Sequence, residues 1–370
     1  MIFMSEQKVV IANNLDYMRS MPDECIDVCV TSPPYWALRD YGSDPVIWGG
    51  VEGCEHDWIE HREPARGGAN PNANVGANKD GEANNRGHPT MSSYCSKCGA
   101  WKGQLGLEPS PLEYINHLML IFDEVKRILK PTGACWVNIG DTYSTFSNSG
   151  QHGNLDSRKT AEGLETGNIL KKDIIKYGFP SKTLLQIPSR FAIAMTDHGW
   201  ILRNEVIWHK SNCMPTSVKD RFTVDFEKFF FFVKNPKYYF KQQFEPMRQP
   251  DAKAKFGSQK TGNPNGTYSG RMYDASELNG RNVRTTWTIN PQASPLEHCA
   301  MFPKELIKTP IDACCPEGGV VLDPFCGSGT VLEYCWEKDI DAIGIEINPD
   351  YEEIIKKRAN HGQSRLYDHF

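Results

Sequence analysis

Val320-Val-Leu-Asp-Pro-Phe-Cys-Gly-Ser-Gly-Thr330 runs a short apolar stretch into a Gly-x-Gly turn and then into residues of helical pattern. Glycine at such a turn lets backbone amides approach a ligand with no Cβ in the way. Outward from it the chain stays regular. Residues 318–323 and 340–347 read as buried strands, residues 303–315 and 330–338 as helices, and Asn348 followed by Pro349 opens a last helix through residue 359. Strand, helix, strand, helix at this spacing predicts a parallel sheet. Glu346 closes the strand after the turn, where a carboxylate can accept hydrogen bonds from both hydroxyls of a ribose. Leu332 stands where a dinucleotide fingerprint has its third glycine, and the Gly-Lys-Ser/Thr ending of a phosphate loop is absent. A cofactor with an adenosine and no pyrophosphate fits these residues.

The remainder of the 370 residues bounds the class. With 39% hydrophobic and 24% charged residues the chain can build a core, which excludes wholesale disorder. No apolar run, residues 229–233 included, comes near the roughly 18 residues of a membrane span. Residues 1–8 carry no basic stretch leading into a long apolar segment, so a cytoplasmic rather than secreted protein is expected. Twelve cysteines then read as thiols or metal ligands in a reducing compartment. The net charge of −5 conceals a local excess: residues 234–284 hold ten Lys/Arg against four Asp/Glu, a difference of +6.

Residues 26–31 read as a buried strand stopped by Pro33-Pro34. Residues 61–90, rich in Gly, Asn, Ala and Pro, cannot bury enough surface to offset their ordering entropy and are expected to be a mobile loop. Apolar spacing predicts a helix over 112–130, stopped by Pro131 and Gly133, then a strand over 134–139. Residues 144–178 form a second polar insertion. Strands are predicted at 200–208 and 228–233, the latter turning through Asn235-Pro236 into a hairpin with 238–240.

Thr31-Ser-Pro-Pro-Tyr-Trp36 follows the first strand at the end where open α/β sheets place ligands. Pro33 and Pro34 fix the backbone. Ser32 Oγ and the Pro33 carbonyl are placed to accept hydrogen bonds from an exocyclic amino group, and Tyr35 offers a flat face for a base. The plainer reading is a Pro-Pro turn with a packed aromatic.

Val30-Thr-Ser-Pro-Pro-Tyr35 resembles the signature of amino-group DNA methyltransferases, in particular those acting on N4 of cytosine. Asp323-Pro-Phe-Cys-Gly-Ser-Gly329 is similar to their S-adenosylmethionine loop. The catalytic motif comes first and the cofactor loop last, as in the permuted beta class. The likeness extends through residues 21–27, 115–129, 208–215, 218–221 and Phe302-Pro303. It implies an α/β, Rossmann-like, mostly parallel sheet with an antiparallel hairpin and a circularly permuted motif order. It further implies catalytic Ser32, Pro33, Pro34 and Tyr35, and cofactor contacts from Asp323, Pro324, Phe325, Gly327, Gly329, Thr330, Glu346 and Phe302. Many relatives carry Gly-Asp near the N-terminus, the Asp touching adenine; Ala12-Asn13 stands there instead, and Asn13 is retained as a contact. A serine before Pro-Pro-Tyr is commoner in the cytosine-N4 enzymes, and Asp or Asn in the adenine-N6 enzymes, which leaves adenine as the second candidate.

Cys54-x-His56 and Cys95-Ser-Lys-Cys98 bracket the glycine-asparagine loop. Cys-x-x-Cys followed by Gly99 resembles a zinc knuckle, and Cys54 and His56 complete a closed tetrahedral set for structural zinc. A redox disulfide and four unrelated residues are the alternatives. Residues 241–285 combine Lys253, Lys255, Lys260, Arg271, Arg281 and Arg284 with Tyr268 and Tyr273, a composition suited to neutralising phosphates. The chain therefore divides into catalytic parts at 1–53, 106–240 and 286–370, a zinc-binding insertion at 54–105 and a target-recognition region at 241–285. The partner expected is double-stranded DNA in a prokaryotic or phage setting, with no membrane; a homodimer and a cognate restriction endonuclease are compatible with the class. A catalytically silent, zinc-containing DNA-binding protein and a dinucleotide-dependent oxidoreductase are the competing readings.

Overall fold

The computed structural model describes residues 6–38, 43–62, 91–144, 175–176, 179–180, 182–246, 280–291 and 302–359. Its strands are β1 (Gln7–Ile11), β2 (Ile26–Thr31), β3 (Val46–Trp48), β4 (Trp58–Arg62), β5 (Met91–Cys95), β6 (Trp101–Gly103), β7 (Leu129–Ile139) and β8 (Ile175–Lys176). They continue with β9 (Phe179–Pro180), β10 (Ile201–His209), β11 (Phe226–Val233), β12 (Phe244–Glu245), β13 (Arg281–Asn282), β14 (Thr286–Thr288), β15 (Val320–Asp323) and β16 (Asp341–Glu346). The helices are α1 (Asn14–Ser20), α2 (Pro111–Ile128), α3 (Ile187–Asp197), α4 (Lys304–Cys314), α5 (Thr330–Glu337) and α6 (Glu352–Ala359).

Eight strands form the central sheet in the order β1-β16-β15-β2-β7-β11-β10-β14. All neighbours run parallel except β11, which is antiparallel to both β7 and β10. The mostly parallel α/β sheet with an antiparallel hairpin is thus the fold that the motifs imply. The hairpin is β10–β11, however, and not 228–233 with 238–240. Both edges of β11 are already filled, and Tyr239 instead donates one backbone bond to the Thr132 carbonyl (2.9 Å).

Helices cover both faces, which explains the run Phe229-Phe-Phe-Phe232 in β11. Side chains alternate across a strand, so Phe230 and Phe232 join the core under α1, α2 and α3, and Phe229 and Phe231 that under α4, α5 and α6. Ser110 caps α2, its Oγ accepting from Glu113 N–H (3.2 Å), with Pro111 in the first turn. The helix ends at Ile128, but Pro131 lies inside β7 instead of in a loop before it. Between the pairs Ile26–Leu129 and Val28–Ala134 the register shifts, so no ladder bond is asked of the proline nitrogen.

A second, wholly antiparallel sheet has the order β3-β6-β5-β4. It begins at Val46, upstream of the boundary expected at residue 54. Two-residue strands pair as β8–β9 and β12–β13. Most of the two polar stretches, 63–90 and 145–174, lies outside the described residues. Among the described residues no helix is long and apolar enough to cross a membrane.

Candidate functional site

The first and last motifs meet because β2 and β15 are parallel neighbours whose carboxyl ends lie together. Thr31, the last residue of β2, donates its Oγ1 proton to Asp323 Oδ1 (2.6 Å) at the end of β15. Phe325 N–H donates to the same oxygen (3.1 Å). Beyond it the turn folds back on β16: Gly327 N–H donates to Glu346 Oε2 (2.8 Å), and Asn348 N–H to Glu346 Oε1 (2.9 Å). Both carboxylate oxygens keep lone pairs for a ligand. Gly327 and Gly329 have φ of +52° and +84°, and a Cβ on Gly329 would stand 3.0 Å from Ile355 Cγ2 of α6. The first glycine therefore serves backbone conformation, and the second also serves helix packing.

Burial pushes the Asp323 carboxyl up to about 7; hydrogen bonds from Thr31 and Phe325 oppose the shift, and the Glu346 charge adds to it. Burial raises Glu346 as well. An acid whose folded-state value exceeds its unfolded value holds its proton longer in the fold, so stability falls as pH rises from about 4 to 7. Asp323→Asn keeps an acceptor for Thr31 and removes the titration. Its stability relative to wild type is expected to rise between pH 5 and pH 8, on the order of 2 kcal/mol. Thermal melts at the two pH values check this; a pH-independent difference contradicts it.

In the Ser-Pro-Pro-Tyr turn, Pro33 is buried and, among the described residues, no donor is paired with its carbonyl, whereas the Pro34 carbonyl accepts from Tyr114 Oη (2.7 Å). Tyr35 Oη lies 2.8 Å from Asn138 Oδ1 and 2.8 Å from Glu227 Oε2, and Ser32 Oγ is 3.4 Å from that hydroxyl. Asn138 is oriented by its own donation to the Lys228 carbonyl (3.1 Å). Glu227 is paired with Lys210, whose ammonium lies 4.1 Å from the Trp208 ring centroid. The Tyr35 hydroxyl is thus anchored on two strands, β7 and β11, with Lys210 just beyond β10 holding Glu227, and Asn138, Lys210 and Glu227 were not singled out in the sequence reading. The one available signal was a pair of charges, Glu227-Lys228, in an otherwise aromatic strand.

A cleft of about 1150 Å³, its open mouth included, joins the two motifs. Ser32 and Pro34 line it beside Pro324, Phe325, Gly327, Thr330 and Glu346, and Phe302 and Asn13 complete that wall. Pro33, Tyr35, Asp323 and Gly329 flank these residues in sequence and are not themselves among the lining. Asn13 Oδ1 caps α1, accepting from Leu15 and Asp16 N–H (2.9 and 3.2 Å), so its amide nitrogen is what it offers a ligand. Asn348 and Tyr351 also line the cleft, as do Asp44, Val46 and Trp48 from the small sheet's first strand and its approach. Sequence reasoning placed none of these five in the site: nothing local links residues 44–48 to a loop near 325, and Asn348 was read only as the start of a helix.

The four candidate metal ligands come together: one ligand atom each from Cys54, His56, Cys95 and Cys98 lies within 4.8 Å of every other. Cys54 Sγ is 4.0 Å from Cys95 Sγ, and Cys98 Sγ is 3.4 Å from His56 Nδ1. Tetrahedral zinc with ordinary bond lengths sets these separations at about 3.8 and 3.6 Å. A disulfide needs about 2.05 Å, so the cluster has the spacing of a metal site and not of an S–S bond.

Of the basic residues expected to meet DNA, Lys253, Lys255, Lys260 and Arg271 lie outside the described residues. Arg281 and Arg284 sit at the base of that segment, each 2.7 Å from Glu245 Oε1, where β12 pairs with β13. Their guanidinium groups hold the two ends of the segment together.

Residues 26–357 match the DNA methylase family of the N6/N4 type. The type II methyltransferase M.Cfr9I of Citrobacter freundii is 32% identical over 93% of this chain and 84% of its own length. M.SmaI of Serratia marcescens is 28% identical over 95% of this chain and 90% of its own. Among solved structures, the cytosine-N4-specific PvuII DNA methyltransferase is similar in fold, with a TM-score of 0.52, 16% identity and coverage of 99% of this chain and 91% of that one.

Proposed function

The chain belongs to the N6/N4 DNA methylase family, and on that premise we propose that it transfers a methyl group from S-adenosylmethionine to N4 of a cytosine flipped out of double-stranded DNA. The observation that carries this reading is the Thr31–Asp323 bond, which sets Ser32 and the Gly327–Glu346 turn on one cleft. The lining fits the donor. Glu346 closes β16 where a ribose is bound in such sheets, and aromatic Phe302, Phe325 and Tyr351 can enclose a base. Among the described residues no Lys or Arg lines the cleft, while Asp44 and Glu346 do. That lining disfavours a pyrophosphate and suits a cationic molecule, which counts against the oxidoreductase reading.

When bound, the donor supplies an electrophilic sulfonium methyl. The chain's own residues do the rest. Ser32 Oγ and the Pro33 carbonyl accept hydrogen bonds from the exocyclic amino group and hold its nitrogen lone pair out of conjugation with the ring. Tyr35 gives the extruded base a face to stack on. No thiol is needed, and Cys326, buried in the turn with its pKa pushed far up by that burial, is unsuited to attack. Catalysis is then positioning and electrostatic complementarity.

Serine before Pro-Pro-Tyr favours cytosine; N6 of adenine, which needs the same acceptor geometry, is the second reading. The Cys/His quartet is read as a structural zinc site, and the segment between β12 and β13 as the target-recognition region. The type II designation of the relatives supports a cytoplasmic restriction–modification setting with a cognate endonuclease. Incubation with isotopically labelled S-adenosylmethionine and mixed-sequence duplex DNA, followed by mass spectrometry of the nucleosides, is expected to give labelled N4-methylcytosine. Labelled N6-methyladenine overturns the base assignment; no labelled nucleoside overturns the activity.

A further inference from the structure

The small sheet carries the metal cluster at one end and a wall of the cleft at the other. Cys54 and His56 come from the loop between β3 and β4, Cys95 ends β5, and Cys98 sits in the turn to β6. The turn is built as a knuckle. Cys95 N–H donates to the Ala100 carbonyl (2.8 Å), Gly99 N–H donates to the Cys95 carbonyl (2.9 Å), and Gly99 has φ +72°. Gly50, at the end of β3, lies so close that a Cβ would stand 2.7 Å from Ala100 Cβ and 3.0 Å from Cys98 Sγ. The knuckle therefore seats directly on the turn that leaves β3.

β3 in turn pairs with β6 through Val46–Gly103, Ile47–Lys102 and Trp48–Trp101. Val46 and Trp48, on the same face of β3, line the cleft, and so do Gln104 and Leu105 just after β6. The contact to the catalytic core is as specific. The His117 ring of α2 stacks on Trp48 (centroids 4.9 Å) and on Trp101 (5.4 Å). His117 Nδ1 is 3.1 Å from Oε1 of fully buried Glu108, whose Oε2 accepts from Gly106 N–H (2.8 Å). The Gly106 carbonyl accepts from Ala37 N–H (2.7 Å), and the Glu108 carbonyl from Trp36 Nε1 (3.0 Å). A continuous path of bonded or stacked residues joins the Cys/His quartet, the cleft wall and the Ser-Pro-Pro-Tyr turn.

The strands of this sheet are only three to five residues long, and among its residues of described burial the buried apolar ones are Trp48, Cys95, Ala100 and Trp101. Sheets this small rarely hold their shape unaided. A metal bond network supplies what the core lacks, because ligand binding to the folded arrangement alone is folding free energy for that element. Resting on the reading of the cleft as the S-adenosylmethionine site, we propose that one zinc ion held by Cys54, His56, Cys95 and Cys98 fixes Val46, Trp48, Gln104 and Leu105 as a wall of that site, so that metal occupancy sets the affinity for the methyl donor. The two cores of the eight-stranded sheet draw on the small sheet only through Trp48 and Trp101 and the residues packed beside them, so the large sheet is expected to keep its fold without the ion.

Calorimetric titration of the full-length protein with S-adenosylmethionine tests this, before zinc removal by 1,10-phenanthroline, after it, and after zinc is restored. Elemental analysis is expected to find one zinc per chain. The stripped protein should keep its far-UV circular dichroism and bind the donor about tenfold more weakly or worse, since the wall is no longer preorganised, with recovery on adding zinc. Cys98→Ser should reproduce the stripped state, whereas His56→Cys, which keeps four ligands, should retain both zinc and affinity. Metal-free native protein, or global unfolding on chelation, overturns the proposal. Equal donor affinity with and without zinc overturns the coupling and leaves the donor assignment standing. Zinc-loaded protein that binds no S-adenosylmethionine overturns the donor assignment and the coupling with it.

Discussion

Ser32→Ala is expected to lower the rate of methyl transfer by a factor on the order of 10²–10³ while the dissociation constant for S-adenosylmethionine stays within about threefold. The two halves of that expectation have separate structural grounds. The turn that meets the donor is built from Gly327, Asp323 and Glu346, whose internal hydrogen bonds do not involve Ser32. Thr31, not Ser32, ties β2 to it. Removing Oγ at position 32 therefore leaves the turn, the two glycine conformations and the acids in place. What is lost, on the proposed reading, is an acceptor for the amino group of the base, at the moment when its nitrogen must give up conjugation with the ring. Pro33 still presents its carbonyl, so the reaction slows without stopping. Single-turnover methylation and calorimetry on the same preparation separate the two quantities; unchanged turnover contradicts the role of Ser32, and a parallel loss of donor affinity contradicts the division of labour. Ser32→Thr, which keeps a hydroxyl, should fall between the two.

The division between what was readable in the chain and what was not follows sequence distance. Residues 26–31 were legible as a strand because an apolar run ended by Pro33-Pro34 has one physical reading, and β2 has those bounds. The segment from Val320 to Ala359 was legible because each of its strands and helices carries its own start or stop signal. The Cys/His quartet was legible from ligand spacing alone, although its two pairs are 41 residues apart at the closest sulfurs. Tyr238–Phe240, by contrast, has the pattern of a strand and no free edge to pair with, which only the neighbours of β11 decide. Pro131 reads as a helix stop and is one, but the register shift that lets β7 run through it is set by β2, a hundred residues earlier. Asn13, suggested by resemblance as an adenine contact, is drawn into capping α1 by the local need of Leu15 and Asp16 N–H groups. Trp48 carries no motif at all. Its place in the cleft wall depends on pairing with Trp101 and stacking on His117, contacts that no local pattern announces.

Gly140→Ala should be nearly as damaging to catalysis as a change in the motif itself. Gly140 follows β7 directly, and a Cβ there would stand 2.5 Å from Tyr35 Cε2 and 2.6 Å from Cδ2. Its backbone does not need a positive φ, so alanine introduces no conformational strain and its effect passes through the Tyr35 ring. That ring cannot swing away freely, because its hydroxyl is held 2.8 Å from both Asn138 Oδ1 and Glu227 Oε2. Moving it by the ångström needed to clear a methyl group disrupts the hydrogen bond its single proton shares between those two acceptors and shifts the face on which the base would stack. The expected loss in kcat/KM for DNA is about 10²-fold, with donor affinity unchanged and stability reduced by about 1–3 kcal/mol from overpacking. Tyr35→Phe, which keeps the ring and loses only the hydroxyl, should cost less, about tenfold. The decisive measurement is the double variant. Because both substitutions act on one ring, Gly140→Ala added to Tyr35→Ala should cost little beyond Tyr35→Ala alone. Additive losses would show that Gly140 acts other than through the Tyr35 ring.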